Sequence, residues 1–232
     1  MRGFWRLSVT ELRLLGRDPG SLFFMIAFPA LLLVLNGANA RPERFVPGYL
    51  AMIVAIGGLS ALPGVVATYR ERKVLRRLAV TPISPFAVLA AQVAAQFLMA
   101  LAGAAVVIAV GALGLGMRAP AHPGPLALAF VLSVLMCCAA GFVIAALAPR
   151  ARTADLLGLL VMFPMIFLAG AAVPGDWLPG ELRELGEHMP LTQAVIAMRE
   201  SWSGTPTLTP FLLLSGIIVL GTAVAAALFR WE

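Results

Sequence analysis

Charge is scarce in this sequence. Asp, Glu, Lys and Arg together make up 12% of its 232 residues, against about 25% in an ordinary soluble domain. A water-facing fold cannot cover its surface with so little charge. What replaces it is apolar: 61% of the residues are hydrophobic, and the mean hydropathy is +0.95. One soluble core has no room for that much apolar surface, so much of it is expected to face lipid.

Residues that carry chemistry are also scarce. The two histidines, His122 and His188, fall in predicted connections. Glu187-His188 does not supply the His-Glu-x-x-His pair that a helical zinc site needs. Gly58-Leu59-Ser60 has the look of an intramembrane serine nucleophile, but no apolar run offers a histidine to activate it. Cys137 and Cys138 are adjacent in an apolar run, and neighbours on a helix point in different directions. They are expected to be small packing residues rather than a disulfide or metal pair. Lys73 is the only lysine and Val74 follows it, so the phosphate-binding Gly-x-x-x-x-Gly-Lys-Ser/Thr loop is absent. The chain is expected to be no enzyme and to carry no nucleotide site or cofactor of its own.

Six runs are long and apolar enough to cross about 30 Å of hydrocarbon: about 19–37, 47–68, 87–116, 126–148, 156–173 and 208–229. Pro29 lies in the first and Pro63 in the second, which neighbouring helices can accommodate. None of the six, as delimited, contains Asp, Glu, Lys, Arg or His. Ion-coupled carriers place ionisable groups inside the bilayer, so any uphill transport is expected to draw its energy from elsewhere. Gln92 and Gln96, four residues apart in the third run, are expected to make interhelical hydrogen bonds.

The net charge of +6 suits topology rather than nucleic acid. With both termini cytoplasmic, twelve of the seventeen basic residues fall on the inner side and five on the outer, as the positive-inside rule requires. Arg2, Arg6, Arg13 and Arg17 share a narrow arc of a helical wheel, with Trp5 and leucines around it. An interfacial amphipathic helix over 1–18, on membrane lipids, is predicted. The apolar stretch behind it has no small-residue cleavage site, so it is expected to be retained rather than removed as a signal peptide. Residues 174–206 are too polar to span, and Leu178, Leu182 and Leu185 recur at helical spacing. Short outer-face helices are expected between the fifth and sixth spans. No internal repeat or linker is visible, so the whole of 1–232 reads as one all-α polytopic domain.

The most distinctive stretch follows the second run: Tyr69-Arg70-Glu71-Arg72-Lys73-Val74-Leu75-Arg76-Arg77-Leu78-Ala79-Val80-Thr81-Pro82. Leu75 and Leu78 share a face, charge covers the rest, and the Thr-Pro step stops the helix. Here the sequence resembles the ABC type-2 permease family of drug, antibiotic, polysaccharide and lipid exporters. The resemblance rests on Arg70-Glu71, Leu75, Leu78 and Thr81-Pro82 in order. Thr10–Pro19 is similar to the family's interfacial helix, and Met189-Pro190-Leu191-Thr192 with Arg199 to its Pro-Leu-Thr stretch. Lys73-Val74 depart from the small residue or glycine common in relatives.

The resemblance implies a permease subunit of an ATP-driven exporter in a bacterial cytoplasmic membrane. ATP and magnesium would be held by a separate ATPase subunit, and the permease would pair with a second copy or a related permease. Residues Arg70, Glu71, Arg72, Lys73, Leu75, Arg76, Arg77 and Leu78 would form a coupling helix docked on the ATPase. The path would run between the permease copies, past the first, second and fifth spans. Met52, Leu59, Met162, Phe163, Met165 and Phe167 are then its candidate lining, and the scarcity of charge suits an amphipathic, drug-like or lipid-like cargo. The alternatives are a self-contained secondary carrier or channel, and a membrane anchor for a cytoplasmic partner.

Overall fold

The computed structural model describes residues 19–37, 41–72, 85–172 and 179–228. The regular structure of the described residues is all helical, with no strand among them. In chain order the helices are α1 (19–37), α2 (Val46–Glu71), α3 (85–114), α4 (Pro123–Leu147), α5 (Ala151–Leu168), α6 (Gly180–Glu187), α7 (Pro190–Ser203) and α8 (Leu208–Leu228). Five of them, α2, α3, α4, α5 and α8, are long and apolar enough to cross a bilayer. The apolar part of α1, Phe23–Gly37, is shorter. The interfacial helix expected over 1–18 lies outside the described residues.

The boundaries of α2, α3, α4 and α8 fall close to those expected from hydropathy. Those of α5 do not. It was expected over 156–173 but starts at Ala151 and ends at Leu168. The stop is made by Gly170, which adopts φ +68°. That left-handed residue lets the Ala171 amide donate to Ile166 O at 3.0 Å and the Gly170 amide to Phe167 O at 3.1 Å, a Schellman closure. The early start brings Arg152 and Asp155 into the helix. The expectation that the spans hold no ionisable residue is therefore corrected for α5, because hydropathy locates the bilayer and not the ends of the helix. For the same reason α2 continues through Arg70 and Glu71.

Prolines shape α1 and α2. Pro29 has no N–H to give to the Met25 carbonyl four residues back, and Pro63 has none for that of Leu59. In both helices the turn just before the proline widens to a π-helix, over Phe23–Ala27 and Ile56–Ala61, which relieves the clash between ring and carbonyl. Both carbonyls face glycines on neighbouring helices. A Cβ on Gly103 of α3 would lie 2.6 Å from Met25 O, and one on Gly158 of α5 would collide with Leu59 O. The Gly58 carbonyl is met in the same way by Gly141 of α4. Small residues thus let α2 approach its neighbours backbone to backbone.

These contacts put α2 at the centre, with Tyr49, Leu50, Met52, Ile53, Leu59 and Leu62 all fully buried. Asn36 of α1 donates to Tyr49 Oη at 3.1 Å and to Leu32 O at 2.9 Å, tying α1 to α2. Cys137 and Cys138 are free and buried, with Cys137 against Gly58. Between α5 and α8 stand the two short helices α6 and α7. Pro190 occupies the first turn of α7, where a missing N–H costs nothing. Leu191, Val195, Met198 and Trp202 of α7 are buried.

The connections α1–α2, α3–α4 and α7–α8 gather at one end of the bundle. There the amides of Ala121 and His122 donate to the carbonyls of Trp202 and Ser201, at 3.0 and 3.1 Å. The Arg118 amide donates to Glu43 Oε1 at 2.8 Å. The end of α2 and the α4–α5 turn lie at the other end.

Candidate functional site

A groove of about 740 Å³ runs along the bundle between α1, α2 and α5. Its α2 side carries the row Met52, Ile56, Ser60, Gly64 and Thr68, each about one turn beyond the last, with Ala61, Val65 and Tyr69 beside it and Arg72 just past the helix end. From α5 come Asp155, Leu159, Met162, Phe163, Ile166 and Phe167, and from α1 Gly20, Phe24 and Phe28. The rings of Phe24 and Phe28 meet edge to face with centroids 5.9 Å apart, and Phe163 is 52% exposed.

The groove is graded along its length. Met52 and Ile56 face Phe163 and Phe167 at one end, whereas Thr68, Arg72 and Asp155 mark the other. Asp155 packs against Gly64, where any side chain would collide with its carboxylate. Thr68 does not compete for that space, since its hydroxyl donates to Gly64 O at 2.7 Å within α2.

Of the six path candidates, Met52, Met162, Phe163 and Phe167 line this groove. Leu59 and Met165 do not: they are 0% and 7% exposed and belong to the core. Sequence reasoning missed Phe24, Phe28, Ser60, Thr68 and Asp155. The four-residue spacing from Met52 to Thr68 was the signal that could have found the α2 residues.

Gln92 and Gln96 are each 1% exposed, and none of their side-chain nitrogens and oxygens has a hydrogen-bond partner among the described residues. The expectation of interhelical hydrogen bonds is corrected. Gln96 faces Gly57, which offers no side chain.

At the end of α2, Arg70 turns inward. Its guanidinium donates to the Ala148 carbonyl and reaches that of Ala146 at 3.5 Å, closing the carbonyl end of α4. A cation there also opposes the negative end of the helix dipole. Glu71 and Arg72 are exposed. Lys73, Leu75, Arg76, Arg77 and Leu78 of the expected coupling helix lie outside the described residues, as do Arg2, Trp5, Arg6, Arg13 and Arg17.

A bundle of apolar helices, five of them long and apolar enough to cross a bilayer, defines a multi-pass membrane protein. The family model for the ABC-2 type transporter matches residues 2–202, and the chain belongs to that family. Nodulation protein J of Rhizobium leguminosarum bv. viciae is 33% identical over 93 residues, which are 39% of this chain and 36% of that protein. The chain is thus matched to little more than a third of that relative's length.

Proposed function

We propose that this chain is the membrane-spanning subunit of an ATP-driven exporter, paired with a second permease copy and powered by a separate ATP-hydrolysing subunit. Its place is a bacterial cytoplasmic membrane, with both termini on the cytoplasmic side. The observation that carries the reading is the groove: an apolar trough of guest-molecule size built on three spanning or near-spanning helices of a chain in this family. The guest is an amphipathic, drug-like or lipid-like molecule.

The basic segment from Arg70 to Leu78 is the coupling element. Leu75 and Leu78 supply its buried anchors, and Arg72, Lys73, Arg76 and Arg77 its steering charge. Arg70 fits a different part in this reading. By holding the α4–α5 turn, it links a push on the segment to two further helices. Leu75→Asp is expected to lose the ATPase on co-purification, or to leave ATP hydrolysis running without transport. An intact complex with undiminished transport in that variant would count against docking here.

Asp155 favours a second reading, because an ionisable group within a span is what a proton-coupled carrier needs. Flux in vesicles holding this chain without ATPase would support that carrier; flux that needs ATP and a partner would exclude it.

A further inference from the structure

We propose that Asp155 is the recognition point for a positively charged amphiphile, its carboxylate taking the cationic head while the aromatic walls of α1 and α5 take the apolar body. The inference rests on reading the groove as the guest path and assigns that guest a charge.

Three observations carry it. The first is placement. Gly64 leaves the Asp155 carboxylate lying against the backbone of α2 in the groove. The second is that Asp155 forms no ion pair among the described residues. A carboxylate beside an apolar trough favours a ligand that neutralises it.

The third is order along the groove. Arg72 follows the last residue of α2, eight residues beyond Gly64, so its backbone lies about 12 Å farther along the axis at 1.5 Å per residue. A guest lying with its body among Phe28, Met162 and Phe163 therefore meets the carboxylate before the guanidinium. A head carrying its negative charge next to the tail, as a phospholipid does, is repelled at the first polar position. A lipophilic cation is attracted there.

The test uses two probes of nearly the same shape and opposite charge, tetraphenylphosphonium and tetraphenylborate. Binding is measured on the purified assembly with its ATPase, in lipid nanodiscs, with empty nanodiscs subtracted. Tetraphenylphosphonium is expected to bind saturably, and Asp155→Asn to weaken it at least about tenfold, or ~1.4 kcal/mol. Asp155→Glu, which keeps the charge, is expected to retain most of the affinity. Tetraphenylborate should show no dependence on residue 155. Equal affinity in wild type and Asp155→Asn, or preference for the borate, overturns the proposal. Residue-155-dependent cation binding that leaves ATP hydrolysis and transport unaffected would keep the cation site and count against the exporter. ATP-driven transport without such binding would do the reverse.

Discussion

Helices α2 and α8 are both apolar enough to span a bilayer, and they end in opposite surroundings. In its most apolar stretch α2 is 78% buried against other helices, whereas α8 is 11% buried. Hydropathy cannot tell them apart, because lipid tails are as apolar as a leucine core and moving from one to the other gains nothing. The difference is made by small residues that admit a neighbour's backbone. In α2, Gly48, Gly58 and Gly64 are each met by another helix or its turn. In α8, Gly216 has nothing within 4 Å, and a Cβ on Gly221 would meet the Ala139 side chain at a tight 3.3 Å but no backbone atom closer than 3.7 Å.

The strongest way to break this comparison is to enlarge one glycine of each kind. Gly141 of α4 meets the Gly58 carbonyl of α2, so a side chain there strikes backbone that cannot turn aside. Gly141→Leu is expected to cost more than about 3 kcal/mol. Gly216→Leu on α8 is expected to stay within about 0.5 kcal/mol. Denaturant unfolding of both variants in one detergent measures the gap. Equal stabilities would mean that glycine contacts do not hold α2 in the centre.

A smaller effect is expected where α2 ends. Arg70 satisfies carbonyls at the end of α4, and such charge-assisted bonds are worth about 1.5–3 kcal/mol when lost. Half-burial of the side chain reduces this, so Arg70→Ala is expected to cost about 1–2 kcal/mol. Arg70→Lys should recover part of it, since one donor remains of a planar set. If both variants unfold with wild-type parameters, the guanidinium has no hold on the α4–α5 turn.

The same contrast shows what could be read in advance. Span positions were legible because they depend on the local sum of hydropathy, and four of the five long helices lie close to their expected bounds. The offset of α5 was not, because one left-handed glycine at position 170 sets its end. The early start of α5, at Ala151, hid Asp155 just outside the expected run, and with it the polar end of the groove. Four of six path candidates line the groove because bulky residues on α5 face α1 and α2. Leu59 and Met165 could not be sorted by residue type, since apolar side chains serve a core and a path equally well. Nor could the lack of partners at Gln92 and Gln96 be foreseen, since it depends on which face of α2 they meet.

The smallest effect concerns the turn before α2, where Glu43 is the counterpart of Arg70. The Arg118 backbone amide donates to it, and that bond is the main reason its carboxyl titrates below the usual carboxylate range. Its own backbone amide and the nearby Arg118 and Arg41 charges add to this, while slight desolvation opposes it. A depressed folded-state pKa means that the unfolded chain binds more protons over the affected range, so stability rises with pH there. The contribution is complete above the ordinary glutamate value and fades as pH falls through the lower folded value. Being near solvent, it is worth less than about 1 kcal/mol. Glu43→Gln is therefore expected to be slightly less stable than wild type at neutral pH and indistinguishable from it in strong acid. The Gly141→Leu deficit, which is steric, should persist at every pH where the protein stays folded. A Glu43→Gln deficit that did not shrink on acidification would show that the link between the two connections is packing and not charge. The ends of α2 would then be held by the same means as its middle.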